Sequence, residues 1–133
     1  MAAVAVIIEL LGDGGDPVRY TVDEATAVPK GTIMKITDPR LAAATTGIDE
    51  PIAGIAASEK VASDGSTTLA LYTNGIFDIV NATGAATCGA IQAPNGINTC
   101  CDADAGDLIQ NSTIGYALET GGTPETIAVR VLK

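Results

Sequence analysis

Residues 67–81 read TTLALYTNGIFDIVN, and the way this stretch is parsed decides the fold. One parse is a hairpin turning on Asn74-Gly75, a dipeptide suited to the tight turn between antiparallel strands. The other is a single long strand bent at Gly75, where glycine supplies a backbone angle that other residues resist. The bend is favoured, because strands this short on a curved sheet place such a glycine at a bulge as readily as at a turn. Either parse makes the stretch β-structure.

The same rhythm runs outward in both directions. Short runs rich in Val, Ile and Thr are punctuated by Gly, Pro, Asn and Asp at fairly regular intervals, the pattern of an all-β chain. In PVRYTVD (17–23), Val18, Tyr20 and Val22 fall on one face of a strand and Arg19, Thr21 and Asp23 on the other. In AVPKGTIMKIT (27–37), Pro29, Lys30 and Gly31 make a turn, after which Met34 and Ile36 face inward. DPRLAAATTGIDE (38–50) reads as a loop, with at most a helical turn at Leu41–Ala44 that is too short to persist. PIAGIAAS (51–58) is a strand of small residues. TCGAIQAPNG (87–96) ends in a turn at Pro94-Asn95-Gly96, an irregular loop carries Cys100 and Cys101, and ETIAVRVLK (125–133) alternates Ile127, Val129 and Val131 with Thr126, Ala128 and Arg130. The expectation is a small β-barrel or β-sandwich over residues 17–133, preceded by an extended apolar N-terminal arm over residues 1–16.

Composition narrows the function. Of the 133 residues 47% are hydrophobic but only 3% aromatic, so Ala, Val and Ile carry the burial. Small side chains bury little area at about 25 cal/mol per Å², which makes help from neighbouring subunits reasonable. Seven Lys and Arg against sixteen Asp and Glu give a net charge of −9, which repels phosphate backbones and argues against a nucleic-acid partner. The start, MAAVAVIIELL, has no basic residue before it and stops at Glu9, too short to span a bilayer and unlike a secretory signal, so no membrane partner is expected. Val4, Val6 and Ile8 would share one face of it and Ala5 and Ile7 the other. The segment is either the first strand of the chain's own sheet or an arm that completes a neighbour's, with Val4, Val6, Ile7, Ile8, Leu10 and Leu11 as the contact residues.

Few motifs carry chemistry. The chain has no histidine, which removes Ser-His-Asp and Cys-His arrangements and the commonest metal ligand. No phosphate-binding glycine loop is present. Asp102, Asp104 and Asp107 are spaced loosely like a calcium loop, but Gly106 stands where a ligand is expected and Thr113 where a closing glutamate belongs, so a solvated turn is the better reading. No metal and no cofactor is expected. Cys88 could bridge Cys100 or Cys101, closing a loop of about a dozen residues; buried free thiols are the other reading. Asn81-Ala-Thr83 and Asn111-Ser-Thr113 satisfy the weak glycosylation pattern. Glu59 and Glu119 read as strand-end charges, since a chain with no tryptophan and few other aromatics offers no sugar platform.

The segments VPKGTIMKITDPR, PIAGIAASEKVASDGSTTLALYTNGIFDI and GDLIQNSTIGYALETGGTPETIAVRVL together resemble the capsid decoration, or head-stabilising, proteins of tailed viruses. The resemblance covers residues 17–132. It rests on a Gly-Ile-Ala strand (54–56), the Gly75-Ile76-Phe77 stretch and a closing Gly-Tyr-Ala-Leu-Glu strand (115–119), and the Cys-rich stretch 93–106 departs from it. The resemblance implies a non-enzymatic homotrimer on the outer capsid surface of a virion such as a bacteriophage, cementing the major capsid protein lattice, with its arm gripping capsid or neighbour. The alternative is a virion- or cell-surface β-domain whose loops around 95–107 recognise a glycan or receptor; a histidine-free enzyme is a third. Gly54-Ile55-Ala56 and Gly115-Tyr116-Ala117 echo one another, and are expected to be neighbouring staves of one sheet where a barrel closes tightly.

Overall fold

The computed structural model describes residues 4–14 and 18–133. The chain is nearly all β, 46% strand and 6% helix, as the punctuation predicts. Among the described residues eleven strands follow in order: β1 (Val6–Glu9), β2 (Val18–Thr21), β3 (Ile33–Thr37), β4 (Leu41–Ala44), β5 (Ile52–Ala56), β6 (Thr68–Tyr72), β7 (Asn74–Asn81), β8 (Ile91–Pro94), β9 (Thr99–Asp102), β10 (Gly115–Ala117) and β11 (Thr126–Leu132). One short helix, α1 (Ala105–Ile109), lies between β9 and β10.

Residues 67–81 are the bent strand, not the hairpin. β6 and β7 are separated by Thr73 alone and do not pair; β6 belongs to one sheet and β7 to another. Gly75 takes φ +139, and a Cβ there would sit 2.9 Å from the Glu9 carbonyl oxygen, so only glycine lets the chain turn at this crossing.

That crossing joins two barrels. Strands β2 to β6 close in the order β2-β4-β3-β5-β6. Strand β7 pairs with both β11 and β9, so β7-β9-β8-β10-β11 also form a ring, on which β1 is laid as a sixth strand. The two rings have the same topology strand for strand: the first and third strands of each are parallel, and every other pairing is antiparallel. Details repeat as well. The bridge Val28↔Lys60 recurs as Ala86↔Gly121. The Gly31 amide donates to Ala56 O at 2.9 Å, and the Gly89 amide to Ala117 O at 2.8 Å.

The echoed glycines are therefore equivalent, though not in the way expected. They sit on separate sheets, Gly54 in β5 and Gly115 in β10, the corresponding strands of the two rings. A Cβ on Gly54 would lie 2.5 Å from Tyr72 O, and one on Gly115 2.7 Å from the Arg130 carbonyl carbon. Both glycines admit the close approach of the ring's last strand.

Burial follows the same plan. Val22, Val28, Met34, Ala42, Ala53, Ala56, Leu69 and Leu71 fill the first barrel. Phe77, Ile79, Cys100, Ile114, Ala117, Ile127, Val129 and Val131 belong to a second cluster, joined by Ile33, Ile52 and Ile55 from the first barrel. A bulge opposite Met34 and Lys35 adds a residue to β5, which puts Ile52 and Ile55 toward the second barrel and Ala53 and Ala56 into the first. Strand β5 is buried on both sides, and alanine is what fits the inside of so narrow a ring.

Two segments read as loops are strands. Leu41–Ala44 pairs with β3, since four alanine-rich residues cannot sustain a helix while a neighbouring strand offers hydrogen bonds. The stretch through Cys100 and Cys101 is β9, held between β7 and β8 with Cys100 fully buried. The extended arm is also revised: its described part, residues 4–14, lies on the chain's own molecule. β1 pairs with β7, the Ala5 amide donates to Gly31 O at 2.9 Å, and Leu11–Gly14 make a 3-10 turn. Residues 1–3 and 15–16 of the segment lie outside the described residues.

Candidate interaction surfaces

The N-terminal contact residues divide by side. Ala5 is buried, and Ile7 and Leu10 pack against the core that the two barrels share. Val6 and Ile8 point outward, 54% and 51% exposed, while Val4 and Leu11 are half-buried. β1 is thus a strap across the barrel junction with an aliphatic outer face.

Other candidate groups are occupied within the fold. Asp104 caps α1 by accepting from the Asp107 amide at 3.1 Å, and Asp107 accepts in return from the Asp104 amide at 2.9 Å. Asp102 accepts from Gln92 Nε2 at 2.7 Å and from the Thr87 amide at 3.2 Å. Among the described residues no group of three or more Cys, Asp or Glu is arranged to hold a metal ion. Burial, with the carboxylates of Asp104 and Asp49 beside it, pushes the Asp107 carboxyl above its ordinary value, although the Asp104 amide pulls the other way.

All three cysteines are free thiols: Cys88 is exposed, Cys101 half-buried and Cys100 buried. Burial pushes the Cys100 thiol up to about 12, with Cys101 and Asp102 adding to it. Asn81 is fully buried, and its Nδ2 donates to Gly84 O at 2.7 Å and Gly122 O at 3.1 Å, so the first sequon offers no acceptor in the folded chain. Glu59 and Glu119 are exposed and stand on different barrels.

The sequence reading missed three features. First, Lys60 is 2% exposed; its ammonium donates to Glu24 O at 2.6 Å, Thr26 O at 3.0 Å and Val61 O at 3.3 Å, tying together two loops at one end of the first barrel. Second, a groove of about 850 Å³ runs between the barrels, lined by Val18, Tyr20, Ile36, Asn111 and Leu132 among others, with Lys133 the charged residue among the described lining.

Third, four aliphatic side chains stand out on three neighbouring segments: Ile48 at 61% exposure, Ile97 at 48%, Leu108 at 55% and Ile109 at 88%. Each segment is braced by polar groups. Glu50 holds the loop under Ile48 by accepting from the Thr46 and Gly47 amides at 2.8 Å each while pairing with Lys35. Asn98 anchors the turn under Ile97 by accepting from the Ile33 amide at 3.0 Å, and the Asp104–Asp107 capping box holds α1. The Gly96 amide reaches Gly47 O at 3.2 Å, and Asp107 meets Asp49, which sets the three side by side. The signal in the sequence was an isoleucine or leucine placed among turn formers, as in TTGIDE, PNGINT and AGDLIQ.

No protein-family model and no curated protein sequence matches the chain.

Proposed function

We propose that the chain is a structural capsid decoration protein, a homotrimer that binds the outside of a viral major capsid lattice and stabilises it without catalysing a reaction. The observation that carries this reading is the outer face of β1. A rim strand whose inward residues already reach the core has no folding need for Val6 and Ile8 at more than half exposure on a chain of net charge −9. Further support comes from the stretches that resemble the decoration family: they supply β5, the β6–β7 crossing, β10 and β11, the strands on which both barrels depend. A protein of this kind works by adding buried area across seams between larger shell subunits.

The test is co-sedimentation with shells assembled from the major capsid protein of the same virus. Val6→Asp/Ile8→Asp changes two outward side chains, so the variant should fold as the wild type does and lose at least about tenfold in shell affinity. Wild-type protein that never sediments with the shell would overturn the function; a double variant that binds as well as the wild type would overturn the role of β1.

A further inference from the structure

The braced aliphatic ridge and the inter-barrel groove lie next to one another, and we propose that they are the two halves of one contact between copies of this chain, the ridge of one copy seating in the groove of the next. The inference rests on the homotrimer reading above for its stoichiometry, but not for its surfaces. Helix α1 forms the rim between the two features. Ile109 stands two residues before Asn111, and Asn111 lines the groove, where its carbonyl accepts from the Ile52 amide at 3.0 Å and its Oδ1 accepts from Lys133 Nζ at 2.8 Å.

Three observations favour a second copy as the occupant. The ridge projects aliphatic side chains, and the groove between the barrels holds Val18, Tyr20 and Ile36 half-buried in its walls with Leu132 exposed at its side, so the two surfaces match in chemistry. The charges are opposite. Asp49 and Asp104 are exposed beside the ridge, and among the described residues lining the groove the charged one is Lys133. The ridge is also rigid before any partner arrives, because a carboxylate, an amide side chain and a capping box hold its three segments in place. Two of these segments, the β4–β5 and β9–β10 connections, occupy equivalent places in the two rings, and Asp49 of one meets Asp107 of the other. A head-to-tail contact whose two halves flank one rim suits a small closed ring.

Sedimentation velocity of the purified chain at tens of micromolar, without any shell, tests the contact. The wild type should sediment as a closed oligomer, and Ile109→Asp, at a side chain 88% exposed, should keep the wild-type circular dichroism and melting temperature while its self-affinity falls about 30-fold or more. Leu132→Asp, from the groove side, should do the same. Chains carrying Ile109→Cys and Val18→Cys separately, each in a Cys88→Ser background, should form a mixed disulfide-linked dimer when assembled together and oxidised. Three copies in the wild type supports both the contact and the trimer; two copies supports the contact and overturns the trimer. A wild-type monomer, or an oligomer that both aspartate variants leave intact, overturns the contact whatever the shell experiment shows.

Discussion

Gly115→Ala probes the feature that makes the rings close. An added Cβ would fall within the van der Waals shell of the Arg130 carbonyl oxygen, 2.7 Å from its carbon and 3.0 Å from Val131 Cα. All three atoms are backbone, so no rotamer change relieves the clash, and β10 must part from β11 or from β8. Gly115 has no left-handed φ, so the cost is wholly steric. Overpacking of a core costs about 1–3 kcal/mol, and a clash with fixed backbone belongs at the upper end, about 3 kcal/mol. At about 4 °C per kcal/mol for a chain of this size, the melting temperature should fall by about 12 °C. Gly47→Ala is the matched control. Nothing lies within 4 Å of its added Cβ and its φ is not left-handed, so it should be neutral or gain about 0.4–1 kcal/mol through the unfolded chain. The assay is thermal and urea unfolding of both variants against wild type. If Gly115→Ala melts within about 2 °C of wild type, the close approach is not a packing constraint and the account of the echoed glycines fails.

Lys60→Met leaves three backbone carbonyls and the Asp64 carboxylate without their shared cation, and should cost about 3 kcal/mol with the earliest hydrogen exchange in residues 61–66. Burial pushes the Glu50 carboxyl up, but the Lys35 ammonium and the Thr46 and Gly47 amides more than offset it, so its folded value lies below the ordinary 4.5. Its contribution is therefore fully present above pH 4.5 and lost as pH falls through the lower folded value. Glu50→Gln should lose about 1–2 kcal/mol at pH 7 in urea unfolding and close the gap to wild type as pH falls progressively below 4.5. With its thiol buried and pushed up to about 12, Cys100 stays almost wholly protonated at pH 8. Ellman's reagent should find Cys88 at once in the folded chain, and Cys100 only after unfolding.

The strands were legible because they alternate: Val18, Tyr20 and Val22, and Ile127, Val129 and Val131, place themselves by a period of two, and Gly75 marked the bend. The doubling was nearly hidden. Only scattered residues repeat between the halves, Gly31 with Gly89, Gly54 with Gly115, Thr68 with Thr126, because a ring of five strands demands small residues at its tight crossings and tolerates almost any aliphatic elsewhere. The echo at Gly54 and Gly115 was therefore read correctly as a steric requirement and wrongly as proximity: the same local constraint arises once in each barrel. β4 and β9 were missed for a related reason, since LAAA and TCCD have no alternation to read and become strands only because β3 and β8 present open edges to them.

The surfaces were the least legible, because an exposed isoleucine in a turn looks like noise until the carboxylate, amide and capping groups beneath it are seen to hold it in place. Those groups give the ridge a meaning that composition could not. Polar side chains that could have faced water are instead bonded inward under Ile48, Ile97 and Ile109, which costs solubility and fixes an apolar shape. On the contact proposed above, the cost of exposing aliphatic residues while lowering their freedom is offset where a second copy covers them. The direction of that trade separates a chain that works through contact from one whose exposed residues are incidental.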